Sequence, residues 1–318
     1  MRLIFMGTPE FAVSSLARLV AGGHTVSAAF TQPDKPAGRG NKLQQPPVKL
    51  FALEHGIPVF QPARIKTNEE VRAAFEAIAP DACIVAAYGK ILPEWMLSIP
   101  RLGCINVHAS LLPRYRGAAP INWAIANGEP ETGITIMQMD AGLDTGPMLA
   151  RRAVEILDDE TAPGLSARLA DVGAGLLSET LNRLELGEVR PVPQDNSEAT
   201  FAPMLEREDG LIDWSQTASQ IANRIRAFQP WPGCHTVLGH HRLIVWRAHT
   251  SGEAPTAEEP AVRPATIISM DKTGITVACG GSTLLHTEEL QIEGKRRLPA
   301  REVANGLRLT PGMRISDG

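Results

Sequence analysis

The chain has 318 residues, 43% of them hydrophobic and 21% charged, and a formal net charge of −4. At roughly 150 residues per domain the length predicts two domains, and an ordinary apolar fraction excludes wholesale disorder. The negative balance excludes a protein that coats nucleic acid through bulk electrostatics, and no apolar run approaches the ~20 residues that cross a bilayer.

The first half alternates short β-like runs with helical patterns, the signature of an α/β unit with a parallel-rich sheet covered by helices. Arg2–Met6 reads as a buried strand that runs straight into Gly7-Thr8-Pro9. No basic leader, long apolar stretch or small-residue cleavage site precedes it, so a cytoplasmic location is expected. Pro9 suits the first position of a helix reaching Ala21, with Glu10 beside the positive end of its dipole. Gly22-Gly23 stops that helix, and His24–Phe30 is the second strand. From Gln32 to Lys42 the chain is too polar and too rich in Pro and Gly for either element, which predicts a long exposed loop. Further strands are expected at Ala82–Ala87, Cys104–His108 and Ile134–Met139, and helices at Val48–His55, Asn68–Ile78, Pro120–Ala126 and Ser166–Leu186.

From Gly187 to Leu205 the apolar periodicity fades and Pro191, Pro193 and Pro203 punctuate the chain. The expected organisation is therefore a domain over residues 1–189, a linker over 190–206, and a second domain over 207–318. In the latter, Ala218, Ile221, Ile225 and Phe228 recur at helical spacing within Ser215–Phe228. Short alternating runs follow at His235–Leu238, Leu243–Ala248, Ala265–Met270, Ile275–Cys279 and Thr283–Leu290, which predict a small β-barrel.

Several chemistries are disfavoured by spacing. Gly7-Thr8-Pro9-Glu10-Phe11-Ala12 lacks the second and third glycines of a dinucleotide fingerprint, so the fold is read as Rossmann-like without that cofactor. Cys83, Cys104, Cys234 and Cys279 lie far apart and are expected to be reduced core residues. Cys234-His235 with His240-His241 lacks zinc-ligand spacing, with Gly239 read as a hairpin turn, so no metal is expected.

Cys104–His108 offers a positive signal, because residues two apart on a strand share a face. Asn106 and His108 thus project together at the carboxyl end of a strand, where open α/β sheets gather their ligands. Thirty-six residues later, Asp140-Ala141-Gly142-Leu143-Asp144-Thr145-Gly146 supplies a carboxylate on a glycine-rich loop. Between them stand Ser110-Leu111-Leu112-Pro113 and Arg116-Gly117-Ala118-Ala119-Pro120.

At these residues the chain resembles the 10-formyltetrahydrofolate-dependent formyltransferase family, along nearly its whole length. The loop Pro33–Gly40 and Phe228-Gln229-Pro230-Trp231-Pro232-Gly233 resemble the branch that acts on initiator methionyl-tRNA. The resemblance implies a Rossmann-like formyltransferase domain followed by a small domain like an oligonucleotide-binding (OB) barrel. It implies attack of a methionyl α-amine on the formyl carbon of 10-formyltetrahydrofolate, the co-substrate. Asn106 and His108 would then donate to the developing oxyanion, with Asp144 holding the imidazole and favouring its protonated form. Ser110, Leu111, Leu112 and Pro113 would line the folate site, and Arg39 and Lys42 in the first loop would meet the tRNA. Gly294-Lys295-Arg296-Arg297 is a compact basic cluster, and Arg296 and Arg297 are expected to bind tRNA phosphates. A monomer is expected. Formylation of a small amine, such as glycinamide ribonucleotide or a sugar nucleotide, stays open as the alternative, as does folate or RNA binding without catalysis.

Overall fold

In the computed structural model, which describes residues 1–37, 42–252 and 262–316, the chain forms two units. One comprises Met1–Pro120, Glu131–Glu155 and Leu165–Pro203; the other comprises Ile121–Pro130, Ile156–Gly164 and Met204–Gly318. Nothing in the apolar periodicity marks the two short segments before residue 165 that belong to the second unit.

The strands up to residue 155 are β1 (Arg2–Gly7), β2 (Thr25–Phe30), β3 (Lys35–Ala37), β4 (Lys42–Gln44), β5 (Val59–Phe60), β6 (Ala82–Ala86), β7 (Cys104–His108), β8 (Arg116–Gly117), β9 (Glu131–Gln138) and β10 (Met148–Glu155). The helices are α1 (Glu10–Ala21), α2 (Pro47–Glu54), α3 (Glu69–Ile78), α4 (Glu94–Ser98), α5 (Pro120–Ala126) and α6 (Ala162–Glu185). A seven-stranded sheet runs in the order β10-β9-β7-β6-β1-β2-β5. Its members β7, β6, β1, β2 and β5 are parallel, whereas β9 and β10 are antiparallel. The sheet is therefore parallel-rich and mixed.

The parallel strands are continuous apolar runs because both sheet faces are covered. Ile4, Met6, Phe30, Phe75, Cys83, Val85 and Cys104 are buried in one cluster, and the Phe30 and Phe60 rings stack at 4.9 Å. Strand β10 has no apolar signature in the sequence because it is an edge: after Met148 most of its residues face solvent, and Arg151 and Arg152 blunt it. Growth of the sheet reverses at β1, which has β2 on one side and β6 on the other, so a crevice opens at the carboxyl ends of these strands. There Gly7 serves packing, since a Cβ would lie 2.7 Å from that of Ala12 and 2.9 Å from the Ala86 oxygen. Likewise a Cβ on Gly173 would lie 2.9 Å from Val107 Cγ1, so this glycine lets α6 approach β7.

Two expectations need correction. The expected loop from Gln32 to Lys42 contains β3, which pairs antiparallel with β4, Lys35 opposite Gln44 and Ala37 opposite Lys42. Strands of three residues are too short to show a period, and residues 38–41 between them lie outside the described residues. The stretch read as a linker is bonded within the first unit as far as Ala202. Val192 and Met148 exchange backbone hydrogen bonds at 2.8 Å, Tyr115 N donates to Thr200 Oγ1 at 2.9 Å, and β11 (Phe201–Ala202) pairs with β8. These contacts are made residue by residue, so no repeating face advertises them.

The second unit holds α7 (Ala218–Ala227), β12 (His235–Leu238), β13 (His241–Ser251), β14 (Ile267–Met270), β15 (Ile275–Cys279), β16 (Thr283–Ile292), β17 (Leu298–Pro299) and α8 (Ala300–Gly306). Thr217 and Gln220 close a reciprocal capping box at the start of α7. The antiparallel order is β12-β13-β16-β15-β14, with β17 added on β16. Gly239 at φ 56° makes the tight turn between β12 and β13. All five expected strands are present, and β13 outruns its apolar stretch because its pairing with β16 continues past register shifts around Arg247 as far as Ser251 opposite Leu284.

The bonds beyond residue 190 and the Asp271 turn each set a stability expectation. A first unit ending at Pro203 should unfold cooperatively at a higher temperature than one ending at Asn196, since the shorter chain lacks Thr200 and β11; each backbone bond removed is worth about 1 kcal/mol. Equal thermal midpoints would contradict it. Asp271, in the turn between β14 and β15, accepts from the Thr273 hydroxyl and from the Thr273 and Gly274 amides, which hold its carboxyl at about 2. That value lies below the ordinary ~3.9, so the stabilisation is complete above about pH 4 and is lost as pH falls through 2. Acid titration of Asp271→Asn should therefore show a shallower loss of stability across that window than the parent.

Candidate active site

Asn106 and His108 stand at the carboxyl end of β7, both facing the Asp144 loop. His108 is buried, 5% exposed, and its Nε2 lies 3.0 Å from the Tyr115 carbonyl oxygen. A carbonyl only accepts, so Nε2 carries a proton and anchors the ring. The opposite nitrogen, Nδ1, lies 3.7 Å from Asp144 Oδ2, a distance for charge attraction rather than a hydrogen bond. Asn106 Nδ2 is 3.5 Å from Asp144 Oδ1, and the Gly117 amide donates to Oδ2 at 2.9 Å. The three side chains singled out in the sequence thus meet around one carboxylate.

The Asp144 loop is built for that approach. Asp140 Oδ1 accepts from Gly142 N at 3.0 Å and Thr145 Oγ1 at 2.7 Å, closing a turn that contains Asp144. Asp144 itself takes φ 52°, a left-handed conformation that aspartate tolerates better than most side chains. Gly146 is obligatory, because a Cβ there would overlap the Gln138 carbonyl. Gln194 Nε2 donates to the carbonyls of Asp144 and Gly146 at 2.8 and 2.7 Å, and Arg116 donates to Gln194 Oε1 at 3.1 and 2.7 Å.

Ser110, Leu112 and Pro113 are buried, and Ser110 Oγ donates to the Arg114 carbonyl at 2.6 Å. Thr135 Oγ1 accepts from Leu112 N at 3.1 Å and donates to the Ser110 carbonyl at 2.7 Å. The segment spends its one polar side chain, that of Ser110, internally, and Leu111 is its member with exposed surface. Arg39 lies outside the described residues, as does the side chain of Lys42, whose backbone opens β4.

Sequence reasoning missed Tyr115, whose contribution is a carbonyl; Gly117, whose contribution is an amide; and Gln194, which sits in an aperiodic stretch. Backbone groups leave no mark in residue identity. Arg116 stood within a conspicuous string, but nothing there told a surface cation from one only 4% exposed.

The second unit contains a separate cavity of about 830 Å³, bordered by Asp158, Arg226, Trp246, Arg247, Glu288 and Arg297. Arg297 is exposed, with its guanidinium 3.4 Å from the centre of the Trp246 ring, and Arg296 is exposed beside it. Trp214 is core, bonded to Thr236 Oγ1 at 3.1 Å, whereas Trp231 is 50% exposed. Cys234 is buried, which pushes its thiol up to about 12, and among the described residues no group of three or more His, Cys, Asp or Glu side chains could hold a metal ion. No described helix is long and apolar enough to cross a membrane.

Two stretches of the chain match known proteins. Residues 1–181 match the formyl transferase family, and residues 204–308 match the formyl transferase C-terminal domain. The methionyl-tRNA formyltransferase of Geobacter metallireducens is 51% identical over 313 residues, which cover 98% of this chain and 98% of that protein. The methionyl-tRNA formyltransferase of Acidobacterium capsulatum is 50% identical over 315 residues, 99% of each. Among solved structures, the sugar 3N-formyl transferase WlaRD superposes with a TM-score of 0.67 at 15% identity, over 93% of this chain and 99% of that one. Methionyl-tRNA formyltransferase from Clostridium thermocellum gives 0.55 at 18% identity, over 80% and 95%. Those two likenesses speak to fold alone, but the full-length relatives and the match of both halves to one family's domains leave a single reading: the chain belongs to the formyl transferase family.

Proposed function

We propose that this protein transfers the formyl group of 10-formyltetrahydrofolate to the α-amino group of methionine on initiator methionyl-tRNA, for translation initiation. The observation that carries this reading is 51% identity to a methionyl-tRNA formyltransferase across nearly the whole of both chains. The acceptor is a cytoplasmic species, and the proposal takes the protein as a monomer acting there.

The residues fit a formyl donor. Asn106 is half-buried and its amide makes one long contact, to Asp144, so it retains donor capacity. His108 is anchored through Nε2, which leaves Nδ1 on the side of Asn106 and Asp144. 10-Formyltetrahydrofolate supplies a formyl carbon already attached to nitrogen and open to attack by an amine. Asn106 Nδ2–H and His108 Nδ1–H stabilise negative charge as it develops on the formyl oxygen, in positions fixed before the reaction. Asp144 stands opposite Nδ1, and the proton lost by the attacking amine passes to the departing N10 of the folate as the bond from N10 to the formyl carbon breaks. Ser110, Leu112 and Pro113 act on the folate site through the backbone course they set, and Leu111 through its surface.

The second unit is the proposed tRNA-docking domain, of the OB type, with Arg296 and Arg297 on phosphates; Arg39 and Lys42 are proposed to meet the same RNA from the first unit. Single-turnover formyl transfer to initiator methionyl-tRNA tests the function, and absence of transfer would refute it. Asn106→Ala and His108→Ala should each lower the rate by ~10²-fold or more, the usual worth of one fixed donor, and Asp144→Asn should be comparably severe. Near-normal rates in all three would remove these residues from the chemistry. Arg296→Ala combined with Arg297→Ala should weaken tRNA binding and flatten the slope of log K against log salt by about 0.7–0.9 for each phosphate no longer neutralised. Titrations at several salt concentrations decide this, an unchanged slope counting against the assignment.

A further inference from the structure

The Asp144 carboxylate is useful only where its loop puts it, and two carbonyls of that loop, those of Asp144 and Gly146, converge on Gln194 Nε2. The oxygen of the same amide faces Arg116, accepting from Nε at 3.1 Å and Nη2 at 2.7 Å, and Arg116 Nη2 also donates to Asn196 Oδ1 at 2.8 Å. This network fixes the amide's orientation: flipped, it would set an oxygen against two carbonyls and an NH2 against a guanidinium. All four hydrogen-bonding positions of the Gln194 amide are thereby filled.

Arg116 is the telling member. It is 4% exposed, yet its partners are two neutral amide oxygens. A buried guanidinium is ordinarily matched with a carboxylate, because desolvating an unpaired charge is costly. Glutamate at position 194 would supply that carboxylate with the same reach. It would also set its second oxygen, an acceptor, against the carbonyls of Asp144 and Gly146 and release the loop. A glutamine here forgoes an ion pair and keeps two donors for the turn that carries Asp144.

We infer that Gln194, oriented by Arg116, is a positioning residue that sets the Asp144 carboxylate against His108 and the Gly117 amide during formyl transfer. The inference deepens the proposed function and rests on it. Gln194 acts through the main chain at and just beyond a left-handed residue, Asp144 at φ 52°.

Gln194→Glu separates positioning from simple burial of Arg116, because it satisfies the guanidinium while removing both donors. We expect its kcat for methionyl-tRNA to fall at least about 10-fold with both KM values within about 3-fold, the pattern of an interaction needed in the transition state. Its melting temperature should equal or exceed that of the parent. Introduced into Asp144→Asn, the same change should cost less than about 2-fold more, since two residues acting as one unit are not additive. Gln194→Asn keeps the amide but retracts it by one methylene, and should show the same loss of kcat if the glutamate variant folds poorly. An unchanged kcat in both variants overturns the inference, and so does an equal fractional loss with and without the Asp144 carboxylate. A parent protein that transfers no formyl group would instead refute the underlying function, a result distinct from active parent and active variant.

Discussion

The carboxylate of Asp144 is held beside His108 without a hydrogen bond to it, and much of the first unit takes part in holding it there. The Gly117 amide takes one oxygen at 2.9 Å, while His108 Nδ1 stays at 3.7 Å. For Gly117 to point its N–H inward, β8 has to run beside β11, so residues beyond 200 help to aim a group before 120. The close pass of the Ala202 oxygen, 2.6 Å from where a Cβ on Gly117 would stand, explains the glycine there. The ring obeys a similar constraint, because its other nitrogen is tied to the Tyr115 carbonyl, and Tyr115 at φ 60° turns the chain to present it. Sheet, turn and trailing segment are thus parts of one clamp.

Legibility in the sequence follows how each feature is encoded. Asn106 and His108 are readable because a strand repeats every two residues, and a buried parallel strand is a dense apolar run in which two polar side chains stand out. Asp144 is readable from the glycines around it, which mark a turn of unusual shape. Tyr115 and Gly117 act through backbone atoms, and Gln194 acts from a stretch without periodicity, so none of the three announces a role. The same physics accounts for the strands. Interior strands such as β1 and β6 carry their own signal, whereas β10 is an exposed edge and β3 and β4 are too short to alternate. Where the seven-stranded sheet leaves parallel order, at β9 and β10, only pairing reveals it: each strand alone reads the same in either direction.

In the second unit, charge is arranged by locality. The basic residues after Gly294 follow a left-handed turn at φ 79°, which carries the chain from β16 toward β17. Arg297 lies over Trp246, whose indole N–H is bonded to Gln291 at 2.7 Å, so the ring beneath the cation is fixed. Arg247 pairs with Glu288, and His249 Nδ1 lies 3.2 Å from the same carboxylate. These pairs divide one face into short stretches of either sign. The long-range field of such a surface is weak and is screened within about 8–10 Å at ordinary salt.

A comparison of Arg116 with those surface arginines shows why its partners are amides. A guanidinium placed directly on Asp144 would make a rigid two-pronged pair and tie up both carboxylate oxygens. His108 and the Gly117 amide would then compete for lone pairs already engaged. Interposing Gln194 transmits the fork's rigidity to the Asp144 main chain and leaves the carboxylate's charge facing the imidazole. The buried cation is the cost of this arrangement, and Asn196 moderates it by accepting a further N–H. Rigidity and charge are supplied by different groups, which lets the loop be held firmly without neutralising the side chain it presents.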